Sequence, residues 1–232
     1  MKLANEGIRT SMETISCAGM LFDLDGVLVD STPAVARVWT IWARKYGFDP
    51  EETVRKAHGR PSLTTIRELL PDADHEEENR IVERMEIEDL EGVVPLPGAM
   101  ELLNALPRDR WAIVTSCTKP LAKVRIRAAG LPVPKCLVTA DDIANGKPNP
   151  EPYLKGAALL GVPPGTCVVV EDAPAGIRAG KAAGAKVVAF QTTERDALLR
   201  EAGADWIVKD CSRLTLDGHA EKNLIVLRAK FS

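Results

Sequence analysis

The sequence carries no surplus of positive charge. Its 30 Lys+Arg stand against 33 Asp+Glu, a formal net charge of −3, so it lacks the basic field by which nucleic acid or an anionic membrane is held. No apolar run approaches the roughly 18 residues that a membrane-spanning helix needs. Residues 1–19, MKLANEGIRTSMETISCAG, lack the cationic patch and apolar stretch of a secretory leader. Cysteine is sparse: Cys17, Cys117, Cys136, Cys167 and Cys211 contain no C-x-x-C and no metal-type spacing. Their odd number fits reduced thiols in a cytoplasmic compartment rather than a disulfide framework. What remains is 232 residues, 45% hydrophobic and 27% charged, enough for one ordinary domain plus a smaller one. Monomer and weak homodimer both stay open.

Short apolar runs rich in β-branched residues recur at Met20–Phe22, Trp111–Val114, Cys136–Val138, Cys167–Val170, Lys186–Phe190 and Trp206–Val208. Continuous runs of this length predict strands buried on both faces. Helical spacing lies between them: Ala99, Leu102, Leu103 and Leu106; a helix from Pro120 stopped by Gly130; another from Pro152 to Leu160 stopped by Gly161. Strands alternating with helices predict an α/β fold, a doubly wound parallel sheet of Rossmann-like kind. Between Thr32 and Glu91 no strand pattern is found. Ser31 and Thr32 read as caps for a helix with Val35, Val38, Trp39, Trp42 and Ala43 on one stripe. Trp39 and Trp42 therefore read as core. A second helix starts near Ser62. A third spans an acidic stretch, Asp72 to Glu91, with ten Asp/Glu against two Arg, and reads as a solvated face. The chain thus divides into an N-terminal extension (1–18), an α/β core (19–31 and 96–232) and an inserted all-helical cap (32–95).

Ligands of open parallel sheets bind beyond the carboxyl ends of the strands, so the residues that follow each strand matter most. After the first come Asp23-Leu24-Asp25-Gly26. Two carboxylates at about 4 Å repel by about 4 kcal/mol at an effective dielectric near 20, and a cation or a proton must offset that. A hard divalent ion suits such oxygen ligands, although the same residues also read as a simple turn. The second strand ends in Thr115-Ser116, suited to phosphate oxygens or to helix capping. Lys147, stiffened by Pro148, is either a fixed cation for an anion or an exposed loop lysine. Glu171-Asp172 ends the fourth strand as a second acidic pair or as a helix cap. All four segments converge only if the strands lie side by side, and then they would share one pocket.

In this order the motifs Asp23-Leu-Asp25-Gly-Val-Leu, Thr115-Ser116, Gly-Lys147-Pro and Glu171-Asp172-Ala-Pro-Ala-Gly resemble those of haloacid dehalogenase-superfamily hydrolases with a helical cap. Residues 94–210 are similar to the glycerol-1-phosphatase and 2-deoxyglucose-6-phosphatase group, through Leu-Pro-Gly-Ala at 96–99 and Gly-Lys-Pro-Asn-Pro-Glu-Pro-Tyr-Leu-Lys-Gly at 146–156. The resemblance implies Asp23 as nucleophile and Asp25 as general acid and then base. It implies Mg²⁺ held by Asp23, the backbone carbonyl of Asp25 and Asp172, with Glu171 directly or through water. Thr115, Ser116 and Lys147 would hold the phosphoryl oxygens, and the cap would close over the pocket. In the cap, His58 and Arg60 are candidate substrate contacts, although this chain has Gly-Arg-Pro where the glycerol phosphatases have Gly-Trp-Arg. Cys117 reads as packing. Dehalogenases of the family lack the second carboxylate, so Asp25 points away from carbon–halogen chemistry. The implied activity is Mg²⁺-dependent hydrolysis of a small polyol or sugar phosphate through an aspartyl-phosphate. A phosphomutase of the β-phosphoglucomutase kind and a catalytically silent phospho-ligand binder are the alternatives.

Overall fold

The computed structural model describes residues 12–57, 60–217 and 224–231. In chain order its elements are β1 (Met12–Cys17), β2 (Gly19–Phe22), β3 (Val29–Asp30), α1 (Thr32–Tyr46), α2 (Pro50–Ala57), α3 (Ser62–Leu69), α4 (His75–Glu88), β4 (Val94–Pro95), α5 (Ala99–Ala105), β5 (Trp111–Val114), α6 (Lys119–Ala128), β6 (Cys136–Val138), α7 (Glu151–Leu160), β7 (Cys167–Glu171), α8 (Pro174–Ala182), β8 (Lys186–Phe190), α9 (Asp196–Glu201), β9 (Trp206–Val208), β10 (Leu214–Leu216) and β11 (Ile225–Lys230).

Each of the six apolar runs forms a strand, and the six make one sheet in the order β6-β5-β2-β7-β8-β9. All its pairings are parallel. Side chains alternate between two apolar layers. Met20, Phe22, Ile113 and Val170 pack on one side, and Leu21, Val114, Val169 and Val187 on the other. From β2 the chain steps outward through β5 to β6, then returns to β7 and proceeds outward through β8 to β9. The order reverses between β2 and β7, the switch point at which such sheets open a crevice beyond their carboxyl ends. Asp23 stands one residue past β2, its amide donating to the Val170 carbonyl at 3.0 Å.

Four helices, α1 to α4, interrupt this core, and their entry and exit strands β3 and β4 pair antiparallel. Trp39 and Trp42 are buried in the insert, as the stripe predicts, with Val38, Ile66 and Val82. Their rings meet edge to face at 5.3 Å. Helix α2 was not anticipated: PEETVRKA offers only Val54 and Ala57 as apolar residues, too few for a stripe, and Asp49 starts it by accepting from the Glu52 amide at 2.7 Å. The Ser31 hydroxyl does not cap α1; it donates to Asp25 instead, and Asp30 accepts from the Thr32 amide.

Two expectations need correction. Within the supposed N-terminal extension, residues 12–17 form β1, antiparallel to β11 from Met12↔Lys230 to Cys17↔Ile225, with β10 on the other edge. Ile15, Leu227 and Ala229 bury their side chains in the core; residues 1–11 lie outside the described part. The acidic stretch, moreover, is not a solvated face throughout. Glu78 and Glu86 of α4 are buried. Solvation fails because these carboxylates meet donors from other helices.

Glu78 shows the cause. It accepts from the Trp42 indole at 3.0 Å, from Lys45 at 3.3 Å and from the Tyr46 hydroxyl. Burial works to raise its pKa, but those three donors outweigh it and hold the carboxyl below its ordinary range. A lowered folded-state pKa stabilises above the unfolded value of 4.5 and is lost as pH falls below it. Glu78→Ala, which strands the Trp42 and Tyr46 donors, is therefore expected to cost about 1–3 kcal/mol in urea unfolding at neutral pH. The deficit should shrink toward pH 3. An undiminished deficit at low pH would refute this account.

Candidate functional site

The strand ends bring the predicted residues together. Lys147 leaves the loop before α7 with only 8% of its side chain exposed, so it is not a solvent lysine. Its ammonium donates to Asp23 Oδ1 at 2.5 Å, to Glu171 Oε1 at 2.6 Å and to the Val114 carbonyl at 3.2 Å. Those acceptors end β2, β7 and β5, so one cation ties three adjacent strand ends. Burial alone would lower the Lys147 pKa, but Asp23 and Glu171 outweigh it and the ammonium is held more firmly protonated than usual. Glu171 is occupied on both oxygens: Oε1 also accepts from Tyr153 at 2.5 Å, and Oε2 from the amides of Asp172 and Ala173. Asp172 does not cap α8. Its Oδ2 accepts from Thr193 at 2.6 Å.

Two glycines make room for these carboxylates. A Cβ on Gly26, at φ +82°, would lie 2.0 Å from Asp172 Oδ2, and one on Gly176 would lie 1.7 Å from Glu171 Oε1. Asp23, Glu171 and Asp172 can each offer an oxygen within 4.8 Å of the others. Burial pushes Asp23 up to about 7, opposed by Lys147 and reinforced by Glu171. Burial, with Glu171 and then Asp23, pushes Asp172 well above the carboxylate range. One ammonium does not balance three acids in so small a volume. The oxygen-only donor set and its unbalanced charge fit a hard divalent cation. With Glu171 saturated, Asp23 and Asp172 are the carboxylates best placed to hold one.

Asp25 sits in a second polar cluster. Its Oδ1 accepts from Ser31 at 2.6 Å; its Oδ2 accepts from Cys117 Sγ at 3.1 Å and pairs with Arg125 at 3.0 Å. Arg125, on α6, pairs through its other arm with Glu86 of α4 at 3.1 Å, which joins the core to the insert. Cys117 is thus more than packing. Burial, with Asp25 next, raises its pKa and keeps the thiol a proton donor. Thr115 is buried and accepts from the Cys117 amide at 3.1 Å, whereas Ser116 is exposed. Neither caps α6, whose N-cap is Thr118.

Apart from Tyr153 and Val114, these groups line one cavity of about 320 Å³, closed on the insert side by residues of α1, α3 and α4, Trp39 and Leu63 among them. Arg60 lines it too, but is half exposed and paired with Glu68 at 3.0 Å. His58 lies outside the described residues. Sequence reasoning missed Ser31, Glu86, Arg125, Tyr153 and Thr193. Of these only Tyr153 carried a local signal, since it falls within the quoted stretch after Lys147.

Comparison with known proteins identifies the family. Residues 18–184 match the model of the haloacid dehalogenase-like hydrolases. The chain is 43% identical over 215 residues to hexitol phosphatase A of Escherichia coli (strain K12), across 90% of this chain and 99% of that protein. It is 38% identical over 225 residues to glycerol-1-phosphate phosphohydrolase 2 of Saccharomyces cerevisiae, across 92% and 90%. Among solved structures, CbbY from Rhodobacter sphaeroides in complex with phosphate shares 26% identity at a TM-score of 0.71, covering 83% of this chain and 93% of that one. The chain belongs to the haloacid dehalogenase-like hydrolases, as a phosphoric monoester hydrolase.

Proposed function

We propose that the protein is a Mg²⁺-dependent phosphatase of a small polyol or sugar phosphate, working through a phosphoryl group carried on Asp23. The observation that carries this reading is the meeting of Asp23, Lys147, Glu171 and Asp172 at the switch point, with a second carboxylate, Asp25, two residues on. The names of the two phosphatase relatives support the substrate class. A Mg²⁺ held by Asp23, Asp172 and the Asp25 backbone carbonyl would supply charge neutralisation for a phosphoryl group beside two carboxylates.

Asp23 attacks phosphorus, and the bond to the ester oxygen breaks as Asp25 gives that oxygen a proton. Water then attacks the Asp23-bound phosphorus and surrenders its proton to Asp25. The Asp23–phosphorus bond breaks, and free carboxylate and inorganic phosphate result. Lys147, Thr115 and the Ser116 amide hold the equatorial oxygens through transfer. Lys147 also keeps Asp23 pointed into the cavity. The insert excludes water from the first step. Arg125 positions Asp25; it is not itself a proton carrier at any usable pH, since its partners raise its pKa further. A silent binding protein would have no use for Asp25, and a mutase would return the phosphoryl group to sugar.

Three outcomes test this. Asp23→Asn should abolish Mg²⁺-dependent release of inorganic phosphate from hexitol and glycerol phosphates; release by the variant would sink the nucleophile assignment, and isomerised ester without free phosphate from wild type would favour the mutase. Asp25→Asn should lower steady-state turnover roughly 10²–10⁴-fold. With nitrophenyl phosphate, whose leaving group needs no proton, that variant should still give a stoichiometric burst of nitrophenolate, because only the water step requires the base. A variant without a burst would remove Asp25 from the second step.

The third concerns pH. The raised pKa of Asp23 favours the folded protein below its unfolded value of 3.8, and that contribution is lost as pH rises through about 7. Asp172 acts in the same direction. A divalent ion relieves the repulsion that then appears, and its binding releases protons. The Mg²⁺-induced rise in melting temperature should therefore be small at pH 5 and grow through pH 8. A rise independent of pH would contradict the assignment of these carboxylates as ligands.

A further inference from the structure

The acidic helix α4 has a role that the hydrolytic chemistry leaves unused. Asn79, Glu83 and Glu86 stand at i, i+4 and i+7 on it and all line the cavity. They extend over about 10 Å of its wall at 1.5 Å per residue. Asn79 Oδ1 accepts from Ser62 at 2.6 Å, and its amide NH₂ has no hydrogen bond among the described residues. Glu83 accepts from the Thr118 hydroxyl, across from the insert to the N-cap of α6. The cavity is lined by six carboxylates and three cations. Lys147 is bound to Asp23 and Glu171, Arg125 to Asp25 and Glu86, and Arg60 to Glu68 at the exposed rim. Each of the three cations lining the described cavity is thus already paired with a carboxylate.

We infer that Asn79 and Glu83 select an uncharged, hydroxyl-bearing leaving group and reject esters that carry a second anionic group. This rests on the phosphatase reading. A hydroxyl suits both residues, since it donates to the Glu83 carboxylate and accepts from the Asn79 amide. A carboxylate or second phosphate in that place meets Glu83 head on in a partly desolvated cavity.

Glycerol 1-phosphate and 3-phosphoglycerate form a matched pair, because a hydroxymethyl in one is a carboxylate in the other. Wild type should favour the glycerol ester in kcat/KM by roughly ten-fold or more. Glu83→Gln should narrow that ratio about ten-fold, and Asn79→Arg, which adds a cation on the same face, should narrow it too. Glu88→Gln, an equal change of charge on the exposed end of α4, should leave the ratio within about two-fold. Should Glu83→Gln fail to fold, the wild-type ratio and Asn79→Arg decide. Equal use of both esters by wild type, or a ratio that Glu83→Gln does not move, overturns the selectivity while nitrophenyl phosphate hydrolysis still upholds the phosphatase. If no phosphate ester is hydrolysed, both readings fall.

Discussion

The structure depends on one buried ammonium. Lys147 holds together the ends of three parallel strands, pairing with the carboxylates that end β2 and β7 and would otherwise repel, and donating to the Val114 carbonyl that ends β5. Ammonium and carboxylate each lose several kcal/mol of hydration on burial, and only close pairing with full hydrogen bonding offsets this. The surroundings supply that bonding: Tyr153 and two amides for Glu171, Thr193 for Asp172. Gly26 and Gly176 do the rest by having no Cβ. Even so, three acids face one cation. That imbalance suits a hard divalent cation.

A second ionic node lies at the joint between core and insert. Arg125 is 4% exposed and grips Asp25 with one arm and Glu86 with the other. Burial pushes Glu86 up and Arg125 pulls it back. Separating a buried ion from its partner costs about 3–5 kcal/mol, so α4 and Asp25 do not shift independently. Insert position and Asp25 orientation are coupled by that fork.

Where the sequence was legible, the signal was local. Six strands announce themselves as continuous apolar runs, though the edge strands β6 and β9 are only partly buried, and chemistry-bearing residues that follow such runs fall at one sheet edge by topology alone. Asp23, Thr115, Lys147 and Glu171-Asp172 were legible for that reason. Strand β1 was not, because METISC buries only Ile15 and Cys17 and its partner β11 lies some two hundred residues away. Arg125 looks like any basic residue near a helix end. Only the approach of α4 and of Asp25, both distant in sequence, turns it inward. The acidic helix misled for the converse reason: charge density is a property of the chain, whereas solvation depends on which donors the other helices bring.

The two cations are not interchangeable, and the difference follows from shape. Lys147 serves three acceptors that surround it from β2, β5 and β7, a task for a compact ammonium with three donors. Arg125 spans two carboxylates on separate parts of the fold, a task for a planar fork that a single point charge does not fill. The first fixes the floor on which a phosphoryl group would rest and belongs wholly to the core. The second reaches across to the insert. Asp23 is thereby held within the core, whereas Asp25 is tied through Arg125 to the insert. The α4 residues inferred to distinguish one ester from another belong to the insert that Arg125 meets through Glu86. On the proposed reading, substrate discrimination and the positioning of Asp25 thus both involve α4, whereas Asp23 is held by Lys147 of the core.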